Sequence, residues 1–323
     1  MPQAYTPSTS VDGPGPGGTR VEALPALRPR SALSRALEWL VESSLLLAAA
    51  FSVFVTAGIV YVLATESIPF FRHVSIWEFF TDRMWTPMFA EPRHGILPLV
   101  AGTLTTTAVA LVVAMPVGTM IAIWLSEFAP SRVREIVKPV MEMLAAVPTV
   151  VYGYFAVDFV TPALQHLIPG LPTFNMLGPG IVMGVMIIPY VSSLSEDAIR
   201  AVPMLLREGS YAMGAGRLTT ALRVVFPAAF SGIAAAYVLA ISRAVGETMI
   251  VAIAAGQQPN LTFNPLDPAA TITAFIVQVS LGDLPHGSVG YQSIFAAGVT
   301  LFVMTLGFNI IGAYLKRRYR QAY

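Results

Sequence analysis

The chain has 323 residues, of which 55% are hydrophobic and only 11% charged, and its net charge is +1. Soluble domains carry about 25% charged residues, so this is the composition of a membrane protein. The lack of cysteine excludes disulfides, thiolate catalysis and cysteine metal sites, and the four histidines (His73, His94, His166, His286) show no metal-ligand spacing.

Residues 1–30 contain ten Gly or Pro and few large apolar side chains. Such a segment cannot bury enough surface to order itself and is expected to be a disordered cytoplasmic tail. Residues 31–38 lead into the first apolar run, about 40–64. Arg28, Arg30 and Arg35 precede it, as in a signal peptide. The run far exceeds the roughly 7–15 residues of a signal core, so it reads as an uncleaved span. Five more runs are long enough for about 30 Å of hydrocarbon: about 96–125, 140–160, 179–194, 228–255 and 293–315. The fold class is therefore all-α and polytopic, with six spans in a transmembrane domain over 31–323. Pro116, Pro148 and Pro189 fall inside the second, third and fourth spans, which predicts bent helices packed in a bundle.

The basic residues set the orientation. The N-terminal segment, the 126–138 loop, the 197–227 loop and the C-terminus hold four, three, four and four Lys or Arg; the alternate loops hold three, none and none. The positive-inside rule places both termini and the 197–227 loop in the cytoplasm, with the spans between them in lipid. On the outer side, residues 65–95 are rich in aromatics (Phe70, Phe71, Trp77, Phe79, Phe80, Trp85, Phe89). They are expected to form an interfacial belt, with a docking surface for an external partner as the sharper reading. Residues 271–281 are apolar but too short to span and fit an interfacial or re-entrant helix.

Two stretches carry the chemistry. In the 200–218 loop, Pro203 suits the first turn of a helix, and Met204 to Met213 make about three turns ended by Gly214 and Gly216. Leu205, Leu206, Tyr211 and Met213 are expected to form an exposed apolar patch, which marks a binding surface. The second stretch is the fifth span, read as one apolar helix with Arg243 and Glu247 near its middle. Arginine there costs about 2.5–3.5 kcal/mol to insert and generally faces a cavity or a partner. Four residues apart, Arg243 and Glu247 share one helix face, with Ser242 and Thr248 beside them. A structural ion pair is the plain alternative, but such pairs are weak stabilisers because desolvation offsets their attraction. A guanidinium matches a tetrahedral oxyanion through parallel hydrogen bonds. The carboxylate repels sulfate and accepts from a P–OH group, so the pattern favours phosphate. No phosphate-loop sequence precedes Lys138 or Lys316, so any ATP is hydrolysed by another chain.

Glu208, Gly214 and Pro227, with Val224 and Phe226 before the proline, are spaced as in the "EAA" motif of bacterial ABC importer permeases. Gly209 and Ser210 stand where that motif has two alanines. The resemblance implies a cytoplasmic coupling helix between spans 4 and 5. Arg207, Glu208, Gly209, Ser210, Tyr211, Ala212, Met213 and Gly214 would then contact an ATP-binding subunit.

The run Ser242-Arg243-Ala244-Val245-Gly246-Glu247-Thr248-Met249 resembles the PstC-type permeases of the bacterial Pst phosphate importers. So do the stretches GILPLVAGTLTTTAVALVVAMPVG from Gly95 and MLAAVPTVVYG from Met143, and the outer loop from Gln257. The resemblance covers nearly everything after residue 40. It implies a type I ABC importer permease fold and a transport subunit, not an enzyme, in a heterodimer with a PstA-type sister permease. A PstB-type ATPase dimer would hold ATP and Mg, and a PstS-type phosphate-binding protein would dock outside. This chain itself needs no cofactor, metal or nucleic acid. Arg243 and Glu247, with Ser242 and Thr248, would line the path. Other readings are a molybdate or sulfate permease, the PstA-type sister subunit, and a polytopic membrane enzyme acting on lipid phosphates.

Overall fold

In the computed structural model, residues 32–318 are described, Ala90 and His286 excepted. The expected tail lies outside them. The helices in chain order are α1 (Ala32–His73), α2 (Ile76–Thr81), α3 (Leu97–Ile123), α4 (Ser131–Ala145), α5 (Thr149–Phe155), α6 (Thr161–Leu167) and α7 (Leu177–Arg200). They continue as α8 (Met204–Ala212), α9 (Arg217–Thr220), α10 (Phe226–Val245), α11 (Met249–Ala254), α12 (Ile272–Ser280) and α13 (Val289–Arg318). Single π-helical turns extend α3 at Trp124–Phe128, join α5 to α6 at Ala156–Val160, and join α9 to α10 at Ala221–Val225. Among the described residues, five helical stretches are long and apolar enough to cross a membrane. A sixth forms if α4 and the α5–α6 stretch, bent by 84° at their junction, count as one span.

The chain divides within α1, after Ala57. From Leu37 to Ala57 nearly every side chain is exposed, and apolar residues such as Leu45, Leu46, Phe51 and Phe54 are covered by nothing. A helix apolar over so much of its surface is matched to lipid.

In the second unit α3 and α7 pack side by side along much of their length. Their approach depends on missing side chains: a Cβ on Gly180 would lie 2.6 Å from Val109, and one on Gly118 would lie 2.8 Å from Val191. Small residues are the usual means of close helix packing in a membrane, where no hydrophobic force drives helices together. The buried side chains fall in layers. One holds Phe70, Phe79, Trp85, Leu99, Ile272 and Phe275. A middle layer holds Ala110, Met183, Met186, Ile187, Ala240 and Ile250. The third, at the α8 end, holds Ala122, Ile199, Val202, Val225 and Ile233.

Several expectations change. Phe70, Phe79 and Trp85 are not interfacial but buried, packed edge to face in a cluster that also takes Phe275 of α12; Trp77, Phe80 and Phe89 remain exposed. Of residues 271–281, Ile272–Ser280 form α12, which packs against α3, α11 and α13, so the interfacial alternative falls and the re-entrant one remains. Its first turn is capped by Thr271, whose hydroxyl accepts from the Ala274 amide. Of the three prolines, only Pro148 interrupts its span; α3 and α7 run through Pro116 and Pro189. The fourth span is longer than 179–194 because α7 covers 177–200. The fifth does not run to Ala255 as one helix, since α10 stops at Val245.

Candidate functional site

The stop in α10 is built locally. Gly246 is a weak helix former, and its amide reaches Ser242 O at 3.3 Å while the Glu247 amide reaches Ala244 O at 3.2 Å. The side chain of Glu247 then starts α11: its Oε1 accepts from the Met249 amide at 3.1 Å and the Ile250 amide at 3.4 Å. A carboxylate over the free amides of a helix start satisfies donors that have no partner within the helix. The Glu247 carbonyl, freed by the break, accepts from Thr273 Oγ1 of α12 at 2.7 Å. Thr248 Oγ1 donates to Gly246 O at 3.2 Å. Arg243 thus sits in the last turn of α10 and Glu247 in the break, so the two do not share a face of one continuous helix. No ion pair joins them among the described residues.

Arg243 turns instead to α7. Its guanidinium carbon lies 4.1 Å from the centroid of the Tyr190 ring, within the range of a cation–π contact. Its Nε is buried and has no hydrogen-bond partner. An N–H left without an acceptor away from water costs about 1–3 kcal/mol, so this donor carries an unmet hydrogen-bonding demand. Ser242, one residue earlier and about 100° around the helix, points elsewhere: its hydroxyl donates to Asn309 Oδ1 of α13 at 3.2 Å. The structure therefore brings Arg243 together with Tyr190, while Ser242 and Thr248 bond to helix and backbone. Tyr190 was not singled out from sequence. The available signal was that an arginine inside a span needs a partner, and Tyr190 follows Pro189 in a neighbouring span.

The loop between α7 and α10 is fixed by another arginine. Arg207 of α8 donates to Glu127 Oε1 from Nε at 3.2 Å and from Nη2 at 2.9 Å. It also donates to the carbonyls of Ile199, in the last turn of α7, at 2.9 Å and of Val202, just past its end, at 2.6 Å. Its side chain is 11% exposed and that of Glu127 8%. Arg207 is thus a clamp between α8, α7 and the π-turn after α3, not an outward contact residue as the motif alone implied. Leu206 also faces inward, onto the core at this end. Ser210 Oγ bonds Thr220 Oγ1 at 2.9 Å. The outward face carries Met204, Leu205, Glu208, Gly209, Tyr211, Ala212 and Met213. At the C-terminus Gly214 takes φ +82°, its amide donates to Tyr211 O and the Ala215 amide to Ser210 O. That is a Schellman termination, which needs a residue in the left-handed region. Gly216 does not end α8; it is the N-cap of α9. Beside this loop Lys138 of α4 reaches the fully buried Glu196 of α7 at 3.2 Å and Asp197 at 3.0 Å, tying the bent third span to the fourth.

Residues 114–321 match the family model described as binding-protein-dependent transport system inner membrane component. The chain is 36% identical over 245 residues to a probable ABC transporter permease protein, YqgH, of Bacillus subtilis, covering 76% of this chain and 79% of that one. It is 34% identical over 259 residues to the phosphate transport system permease protein PstC 1 of Mycobacterium tuberculosis, covering 74% and 76%. Among solved structures it resembles a bacterial alginate ABC transporter in complex with a pentasaccharide-bound periplasmic protein, at TM-score 0.60 and 17% identity over 88% of this chain and 96% of that one. It also resembles the MetNI methionine ABC transporter in an inward-facing conformation, at TM-score 0.54 and 17% identity over 70% and 95%.

Proposed function

This chain belongs to the family of binding-protein-dependent transport system inner membrane components, and on that premise we propose that it is a permease subunit of an ATP-driven importer of inorganic phosphate. It is a multi-pass membrane protein of a family of transport subunits. The observation that carries the cargo is Arg243: a guanidinium between spans, faced by a tyrosine ring, with a buried Nε donor that has no hydrogen-bond partner among the described residues. The phosphate transport relatives favour that reading over another oxyanion.

The chain forms half of the translocation path and pairs with a sister permease. Exposed apolar side chains on α4 and α5, including Ile136, Val140, Met143, Val151 and Tyr154, support such a pairing. A separate ATPase pair, holding ATP and Mg²⁺, docks on the outward face of α8. A phosphate-binding protein docks on the opposite side of the membrane, and both termini are cytoplasmic. Hydrolysis tilts α8, and the Arg207 clamp passes that motion to α7 and α3, so that the space around Arg243 opens to each side in turn.

The test is uptake of labelled phosphate by cells whose only phosphate importer contains this chain with its sister permease, ATPase and binding protein. ATP-dependent uptake that excess sulfate and molybdate leave unchanged is the expected result. Equal inhibition by either anion assigns the chain to another oxyanion, and uptake undiminished by Arg243→Ala removes the site.

A further inference from the structure

Beside α8 a cavity of about 660 Å³ opens between the end of α3, α4, α7 and α9, lined by Arg134, Arg200, Arg207, Arg217, Glu127 and Tyr211 among others. Four guanidiniums share it with a single carboxylate. Their commitments differ. Arg207 is spent on Glu127 and two carbonyls, and Arg200 lies 3.6 Å from Glu196. Arg134 and Arg217 have no carboxylate partner among the described residues. Two like charges without a carboxylate partner facing one cavity repel each other, and the one acid on its wall, Glu127, is held by Arg207.

We infer that this cavity binds a phosphate-class oxyanion between Arg134 and Arg217, at a second anion site distinct from Arg243. Guanidinium forks match the oxygens of a phosphate group in pairs, and the Tyr211 and Ser126 hydroxyls on the wall are further donors. The volume exceeds what inorganic phosphate alone fills, so the same chemistry suits either free phosphate with its water or the headgroup of an anionic lipid. Basic pockets between spans on the cytoplasmic side are the setting in which such headgroups bind. A bound anion cross-links Arg134 of α4 to Arg217 of α9 across α8, and so restrains the helix whose movement couples ATP to transport. The site stands whether or not Arg243 carries the cargo.

The test uses the full chain, with its sister permease, in phosphatidylcholine nanodiscs. Unfolding temperature is measured in potassium phosphate, in potassium chloride of equal ionic strength, and with phosphatidylglycerol added to the discs. Occupancy raises it by at least about 3 °C at saturation. A rise with phosphate in neutral discs identifies the free anion; a rise only with phosphatidylglycerol identifies the headgroup. All arms are read in the Arg243→Ala chain, so that binding at that residue adds nothing, and introducing Arg134→Gln with Arg217→Gln there abolishes the rise. The inference is overturned by no rise in either arm, which leaves the cavity to an acidic side chain of the ATPase. It is equally overturned by chloride raising the unfolding temperature as much as phosphate does, or by a rise that persists once Arg134→Gln and Arg217→Gln are added.

Discussion

The guanidinium carbon of Arg243 lies 4.1 Å from the ring centroid of Tyr190, joining the last turn of α10 to α7. An aromatic face offsets part of the cost of burying a cation without neutralising it. A carboxylate at that place would satisfy the arginine and leave nothing for a passing anion. Tyrosine holds the group in position and leaves the Nε donor without a partner, which is the property the proposed transient site requires.

Replacing Arg243 with Ala removes charge-assisted hydrogen bonds worth about 1.5–3 kcal/mol each, so phosphate uptake is expected to fall by about tenfold to a hundredfold. Tyr190→Phe keeps the ring face and retains most uptake, whereas Tyr190→Leu removes it and lowers uptake. Initial rates of labelled phosphate entry, normalised to the amount of assembled complex in the membrane, separate these outcomes. Equal rates for Tyr190→Leu and the parent chain would remove the ring from the site.

Glu247 has two separable duties. Its Oε1 caps α11, and its negative charge is the feature that would favour phosphate, which has a proton to share, over sulfate. Glu247→Gln keeps an acceptor for the cap and loses the charge; Glu247→Ala loses both. The Ala variant is expected to destabilise the chain by about 0.5–2 kcal/mol, while the Gln variant stays near parent stability with weaker discrimination against sulfate. Thermal unfolding in detergent and sulfate competition during uptake measure the two effects independently.

Span positions, the loop helix α8 and the arginine at the fifth span were legible because each is local: apolar length, Pro203 and Gly214 as start and stop signals, and one charge where none is expected. The break at Gly246 was not, because Arg243 and Glu247 at a four-residue spacing fit a continuous helix equally well. What decides against it is the capping bond from Glu247 and the hydroxyl of Thr273, a residue of α12 reached only in three dimensions. Arg207 was misread for the same reason. The motif places it on the coupling helix, but its acid partner Glu127 lies 80 residues away. The aromatic run of 65–95 looked interfacial because composition does not say which rings meet Phe275.

The Arg207–Glu127 clamp makes a further prediction. Breaking a largely buried pair from one side leaves the other charge unpaired and costs about 3 kcal/mol or more. Arg207→Met is therefore expected to lower stability sharply and to let the ATPase run without matching phosphate entry. Because an apolar pair of similar volume can stand in for a buried ion pair, Arg207→Met with Glu127→Leu recovers much of the stability. It does not recover the ratio of phosphate moved to ATP hydrolysed if the carbonyl bonds of Arg207 also transmit the motion. Unfolding temperature and that ratio, measured on the single and double variants, apportion the two roles.

At Gly214 the constraint is backbone conformation and not space. A Cβ there meets nothing within 4 Å, but φ is +82°, where a side chain costs about 1–2 kcal/mol. Gly214→Ala and Gly214→Leu are expected to cost nearly the same, and Gly214→Asn less, since asparagine tolerates the left-handed region. If size mattered, Leu would be far worse than Ala. Comparing the unfolding temperatures and ATP-to-phosphate ratios of the three variants decides between strain at the end of α8 and a steric clash with the partner ATPase.

His94 gives the outer cluster a pH dependence of definite sign. Burial lowers its pKa from the ordinary value of 6.5, and the nearby charges of Glu78 and Asp82 pull it only part of the way back. Its ring packs edge to face on Phe70 at 5.4 Å, and Nε2 is buried without a partner, so a proton there would create a donor with nothing to receive it. Below pH 6.5 the unfolded chain takes up that proton before the folded one does, and stability falls as pH falls through this range. Above it both states are neutral and the contribution is constant. Unfolding temperature is accordingly expected to be lower at pH 5.5 than at pH 7.5, and His94→Phe, which keeps the ring packing and cannot titrate, flattens that part of the slope. A variant whose slope matches the parent's would place the responsible proton on another group.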